Sequence, residues 1–385
     1  MRKEEFDDIA PYDDSNFQEK MSRLVEEPGF EHAVRYVMPD VDYPEFVKGL
    51  LAIKTMNSFQ LDVMAPFLEM LARKTTSGIS ISGLENREAG RNYTYITNHR
   101  DIVLDASFLN LCLIRNKVET TEVAIGSNLL IYDWIRDLVK LNGSFIVKRN
   151  LPTKQALCAA KQLSGYIHYA VNEKHKSVWI AQREGRAKDS SDWTQESLVK
   201  MMGLSGGGTL QENLKAINLL PVSISYEYDP NDYLKAREFL LKRNNPEFKK
   251  SQRDDLFSME TGLLQYKGRV HFSIGKCINA GLEEVGECED KNEVLNRVCN
   301  LIDHSIHSGY RIYPINYIAY DELNGTNEYA GNYTPQEAAD FNVYMDGQLS
   351  KVDLPDLTDD DTAYMRRMML TMYANPLHNK LNAQK

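Results

Sequence analysis

The stretch YTYITNHRDIVLDASFLNL, residues 93–111, decides the fold reading. Its first five residues, YTYIT (93–97), alternate β-branched and aromatic side chains as a strand does. A polar turn follows, and an apolar run then enters a helix near Asp101. The same strand–turn–helix unit recurs downstream. EVAIG (122–126), SFIVK (144–148), SVWIA (177–181), LLPVSIS (219–225) and RVHFSIG (269–275) read as strands, and helical stretches such as 128–141 and 152–173 lie between them. Strands alternating with helices of that length predict an α/β fold, a mainly parallel sheet flanked by helices.

Upstream the pattern is helical. Ser15 with Gln18 predicts a capping box, Pro44 suits the first turn of a helix, and Phe59, Val63, Phe67 and Leu71 form a helical stripe interrupted by Pro66, where a kink or break is expected. Beyond about residue 310 the alternation is lost. The expected organisation is an N-terminal helical region (1–78), an α/β domain (79–310) and a C-terminal extension (311–385).

A chain of 385 residues with 42% hydrophobic and 26% charged residues has the composition of a globular protein, not a disordered one. Its net charge of −10 argues against general nucleic-acid binding, which needs a basic face, but allows a local basic pocket. The start is too acidic for a signal peptide, and no run of about 18 apolar residues could span a bilayer as a helix. Any membrane contact is expected to be peripheral. Cys112, Cys158, Cys277, Cys288 and Cys299 are scattered and lack C-x-x-C spacing, so they read as reduced cysteines of a cytoplasmic protein.

Functional residues of an open α/β sheet collect at the carboxyl ends of its strands. Three polar clusters stand there: NHRDIVLD (98–105), KRN (148–150) and QREGRAKDS (182–190). A neutral imidazole at His99 can take a proton from a hydroxyl, with a carboxylate fixing its tautomer. Asp101 or Asp105 could supply that carboxylate; Asp101 also suits the N-cap of the following helix, which favours Asp105. Lys148, Arg149, Arg183, Arg186 and Lys188 could hold a phosphate, although a solvated charged surface explains the first two equally well.

These blocks resemble those of the glycerolipid acyltransferases, which include the glycerol-3-phosphate and lysophosphatidate acyltransferases. NHRDIVLD (98–105), GSFIVKR (143–149), REGRAKD (183–189) and LLPVSISYE (219–227) occur in the family's order, within a span of about 80–280. The chain departs from the family in having H-x5-D where H-x4-D is usual, and in lacking the Thr or second Gly after Glu184-Gly185. The resemblance implies His99 and Asp105 as the catalytic pair. It implies Lys148, Arg149, Arg183, Glu184, Gly185, Arg186 and Lys188 as the substrate-binding set. It also implies an acyl-CoA or acyl carrier protein donor, a phosphate-bearing acyl acceptor, and no metal or prosthetic group.

The HRD triplet also opens the protein-kinase catalytic loop, but position 106 is Ala where that loop has Asn, and no G-x-G-x-x-G precedes it. GLSGGGT (203–209) reads as a mobile connection, with a lid as the lesser option. The stretch 233–253 carries seven Lys or Arg among apolar residues, as an interfacial helix or an ordinary salt-bridged one would. Met365, Met368, Met369 and Met372 share one helical face and read as core packing before an acyl site. The expected activity is acyl transfer from a thioester to a hydroxyl of glycerol 3-phosphate or a lysophospholipid, with His99 as general base. The alternative is a non-catalytic lipid- or partner-binding protein on a degenerate acyltransferase scaffold.

Overall fold

The computed structural model describes residues 3–285 and 290–385; Cys288 lies outside the described residues. Seven strands form one sheet: β1 (Gly78–Ser82), β2 (Thr94–Thr97), β3 (Glu122–Gly126), β4 (Ser144–Val147), β5 (Val178–Ala181), β6 (Leu219–Tyr226) and β7 (Arg269–Ile274). Their spatial order is β1-β7-β6-β2-β5-β3-β4. From β6 to β4 the strands run parallel, with Thr94 of β2 level with both Val178 and Leu219. β7 is antiparallel to β6, and β1 is parallel to β7. The fold is therefore α/β with a mainly parallel sheet flanked by helices, as expected. Each predicted strand is present. β1 (GISIS) was not foreseen, because it is an edge strand with two isoleucines in five residues.

Side chains alternate across a strand, and the two faces enter different cores. Ile96, Val178, Ile180 and Leu219 pack with the helices Thr153–Asn172 and Lys291–Gly309. Tyr95, Trp179, Leu220, Val222 and Phe272 pack with Ala65–Thr75 and Leu104–Arg115.

Ahead of the sheet, helices Phe17–Val25, Pro28–Val37 and Tyr43–Ala52 bury their apolar faces in a cluster of their own. Pro44 sits in a first turn, as read. The Ser15–Gln18 capping box does not form. The helix begins at Phe17, Ser15 donates its N–H to Asp13, and Gln18 reaches across to the carbonyl of Ile53. The stripe through Pro66 is broken as expected: a π-helical turn, Phe59–Met64, ends where Pro66 enters the first turn of Ala65–Thr75.

After the sheet, helices Pro314–Asn324, Pro335–Leu349 and Asp359–Ala383 pack with Asp232–Asn244. Met365, Met369 and Met372 are buried there, so the methionine face is core packing. The interfacial reading of 233–253 is corrected in the same way. Tyr233, Ala236 and Leu240 face the C-terminal helices, and Arg237, Lys242, Arg243 and Lys250 pair with Asp254, Glu238, Asp361 and Asp255. In the glycine-rich connection, Asn213 donates to the carbonyls of Gly203 (2.9 Å) and Gly208 (3.1 Å), and Thr209 caps the next helix.

The central pairing of β2 with β6 is extended by a side chain. Past Thr97, the amide of Asn98 donates to the Ile224 carbonyl (3.0 Å) and accepts from the Ile224 N–H (2.7 Å). The side chain thus imitates a strand residue while the main chain turns away. Asn98→Ala should leave both buried Ile224 groups unpaired and cost about 2–5 kcal/mol, read as a lower urea midpoint. Asn98→Asp, which can accept but not donate, should also destabilise; an unchanged midpoint in both variants would exclude this role.

Candidate active site

The turn 98–103 carries the chain from β2 into the Leu104–Arg115 helix. Asp105 lies in the first turn of that helix and is buried. Its Oδ2 accepts from His99 Nδ1 (2.8 Å), the Arg100 N–H (2.6 Å) and the Asp101 N–H (3.1 Å). Asp101 instead turns Oδ1 to the N–H groups of Val103 (2.9 Å) and Leu104 (2.7 Å), capping the helix start. The imidazole is therefore paired with Asp105, and Asp101 holds the two N–H groups at the helix entry, although the N-cap position itself is Val103, two residues beyond the expected one. With Nδ1 donating to a carboxylate, the neutral ring presents the Nε2 lone pair. His99 is 14% exposed and has the edge of Trp179 against it, ring centroids 5.8 Å apart.

Beneath His99 lies a buried polar layer. Asp105 Oδ1, Asp101 Oδ2 and the Tyr226 hydroxyl are buried with no hydrogen-bond partner among the described residues. Burial, then the charges of Asp105 and Asp101, push the Tyr226 hydroxyl well above the ordinary tyrosine range, so it stays protonated and able to donate. Asp101 is pushed up by burial and by Asp105. Lys267 is fully buried, its ammonium donating to the carbonyls of Gln265 (2.6 Å) and Leu263 (3.3 Å); burial pushes it down to about 8 against the opposing charge of Asp101. The Gln252–Leu264 helix sits so close that a Cβ on Gly262 would meet Asp101 Oδ2 at 2.0 Å.

The turns after β2 and β5 are tied by a buried ion pair between Arg100 and Asp192. Burial opposes the guanidinium charge, yet Asp192 holds Arg100 above its ordinary value. Tyr310 donates to the same carboxylate, while Gln182 donates to the Asp192 carbonyl (2.6 Å). From the other side, Asn375 and Asn379 of the last helix donate to the carbonyls of Asp189 (2.6 Å), Ser190 (3.2 Å) and Ser191 (3.1 Å).

His99 opens on a cavity of about 1930 Å³ bounded by the N-terminal helices, the strand ends and the Gln252–Leu264 helix. Phe30, Val34, Phe67, Val123 and Leu263 are among its apolar walls. Lys148, Arg149, Arg183, Glu184, Gly185, Arg186 and Lys188 all line it with His99, whereas Asp105 stands behind the histidine. They are not equivalent. Lys148 is drawn to Asp8 and Gln162, Arg149 pairs with Glu184 (3.1 Å), and Lys188 pairs with Glu238 (2.6 Å). Burial lowers Lys188, with Glu238 resisting. Among the described residues, Arg183 and Arg186 have no ion-pair partner. Gly185 takes φ +68°, a left-handed turn between those two arginines. The glycine-rich segment 203–209 contributes nothing to the cavity lining.

Trp179, Tyr226, Lys267 and Arg100 were missed by the sequence reading. Trp179 and Tyr226 stand within or at the end of predicted strands, so strand position was the available signal; Lys267 had none.

An acyltransferase family model matches residues 78–225, which contain His99, Asp105 and every cation of the cavity named above. No curated protein is significantly similar to the chain. Among solved structures, the 1-acyl-sn-glycerophosphate (LPA) acyltransferase PlsC from Thermotoga maritima is similar at 14% identity with a TM-score of 0.35, over 70% of this chain and 94% of that one.

The polar layer has a pH signature. Lys267 has its folded value lowered, so between about pH 8 and 10 the unfolded chain binds the extra proton and stability rises with pH. The rise should be roughly 2–4 kcal/mol and should be missing from Lys267→Met, as read from urea denaturation across that range. Parallel curves for the two proteins would contradict it.

Proposed function

We propose, on the match of residues 78–225 to an acyltransferase family model, that the chain moves a fatty acyl group from a thioester to a hydroxyl of glycerol 3-phosphate or a lysophospholipid. The thioester would be carried on coenzyme A or an acyl carrier protein. The observation that carries this reading is the His99–Asp105 pair set in the wall of a large, mostly apolar cavity whose strand-end side is cationic.

In the proposed reaction, His99 Nε2 takes the proton of the acceptor hydroxyl as its oxygen attacks the thioester carbonyl. The Asp105 carboxylate stabilises the imidazolium that forms. The tetrahedral intermediate then collapses, the C–S bond breaks, and the departing thiolate recovers the proton from His99. Tyr226 lies where its hydroxyl could reach the free Asp105 oxygen and keep that carboxylate oriented. The acyl chain would occupy the apolar walls among the N-terminal helices. Arg186 and Arg183, which form no ion pair among the described residues, are the phosphate ligands we favour over Lys148, Arg149 and Lys188, whose charges are already paired.

The longer H-x5-D spacing favours a non-catalytic scaffold, whereas a histidine–aspartate distance of 2.8 Å supports the catalytic reading. No helix among the described residues is long and apolar enough to cross a membrane. Peripheral contact, and a cytoplasmic location, are part of the proposal; Tyr36 and Tyr132, both exposed and both lining the cavity, are where a lipid surface would meet it.

His99→Ala should lower acyltransferase turnover about 10²–10⁴-fold with little change in melting temperature. Asp105→Asn should also cost activity steeply, while Asp101→Ala should mainly cost about 0.5–2 kcal/mol of stability. A His99→Ala enzyme with near-full turnover, assayed with both donor carriers and a panel of acceptors, would remove the general-base role.

Arg186→Ala should raise the acceptor KM roughly ten- to hundred-fold and leave the donor KM nearly unchanged, since a charge-assisted phosphate contact is worth about 1.5–3 kcal/mol. A rise confined to the donor KM would assign the arginine to the thioester carrier.

A further inference from the structure

We propose a second anion-binding site, for a small phosphoryl-bearing ligand, in a cavity of about 490 Å³ between β7, the turn 309–312 and the last helix. It shares no lining residue with the His99 cavity. Arg311 and Lys380 both line it, and neither has an ion-pair partner among the described residues. The Arg311 guanidinium approaches His271 Nδ1 at 3.4 Å and has no other side-chain hydrogen bond among the described residues. Among the described residues Lys380 donates to the Tyr310 carbonyl alone, which leaves two of its three N–H bonds for a ligand.

His271 stands between strand and cavity with both ring nitrogens engaged, Nδ1 at 2.8 Å from the Ser80 hydroxyl and Nε2 at 2.9 Å from that of Ser82. Burial first, then the charges of Arg311 and Lys380, push it down to about 4, so it is neutral near pH 7. No carboxylate contributes to that balance. Of the acidic side chains near the lining residue Tyr329, Asp321 accepts from its N–H (3.0 Å) and Glu328 acts on its hydroxyl, and neither carboxylate lines the cavity. Arg269, on the same strand, shows the usual alternative: Glu227 grips its guanidinium.

Two like charges left facing one concavity repel, and a doubly charged oxyanion converts that repulsion into attraction. Arg311 offers a fork matched to phosphate oxygens, and Lys380 offers a point charge. Tyr317 and Tyr329, rings 5.4 Å apart, form an aromatic wall on which the uncharged part of a ligand could rest.

Inorganic phosphate is the probe. Because the His99 cavity is also cationic, the titration is run on full-length Arg186→Ala protein, with chloride at matched ionic strength as control. Phosphate should raise its melting temperature beyond the chloride control. Adding Arg311→Gln, which keeps most of the side-chain volume, should weaken the apparent phosphate affinity at least ten-fold while leaving the phosphate-free melting temperature in place; Lys380→Met should weaken it as well, from a lower starting melting temperature because the Tyr310 carbonyl loses its donor. Absence of phosphate-specific stabilisation in the Arg186→Ala protein, or stabilisation indifferent to both added substitutions, would overturn the proposal. The test does not depend on acyltransferase activity.

Discussion

Asp105 Oδ2 takes N–H groups from three consecutive residues, and the path of the whole 98–105 segment follows from satisfying that one buried atom. The carboxylate sits in the first turn of a helix, where exposed N–H groups and the helix dipole favour negative charge. Wrapping the preceding turn around it aims His99 into the cavity and Arg100 towards Asp192. Asp101 holds the turn that leads into the helix, and across the H-x5-D spacing that turn delivers the aspartate to the imidazole. A single lost acceptor would release the histidine, the cap and the tie to the β5 turn together.

The strands were legible because each carried a run of β-branched or aromatic residues, and once they were placed the parallel sheet put His99 and both cationic blocks at one end. β1 escaped because an edge strand need bury little, and its exposure alternates accordingly. The choice of Asp105 over Asp101 was readable from capping chemistry. What stayed hidden was the pairing of charges. Sequence places Lys148 and Arg149 side by side at the end of β4, yet successive residues of an extended chain face opposite ways. Lys148 accordingly leaves for Asp8, which lies far away in the sequence. The Ser15–Gln18 box failed for a related reason, since Gln18 reaches the carbonyl of Ile53, just past the end of the Tyr43–Ala52 helix. Tertiary partners decide such cases, and local pattern does not contain them.

The last helix shows how a segment without strand–helix alternation still bears on the site. Its asparagines hold three carbonyls directly after the Arg183–Lys188 block, while its methionines are sunk in a separate core. The loop carrying the cations is thus clamped between Asp192, fixed by Arg100 and Tyr310, and a helix anchored by its own apolar contacts. Positions on loops are costly to define, and here rigid elements on both sides supply the definition.

The order of the sheet also has a bearing on how the chain comes to be folded. β2, which leads into the His99 turn, lies between β5 and β6, both of which follow much later in the chain. During synthesis at about 5–20 residues per second, β2 waits for several seconds or longer with two unpaired edges and an apolar helix behind it. The paired strands that could protect it locally do not exist, because every neighbour it will have is distant and parallel. Nascent β2 is therefore a segment for which a ribosome-associated chaperone would matter, and slowing translation before residue 219 would lengthen the interval in which the chain can aggregate.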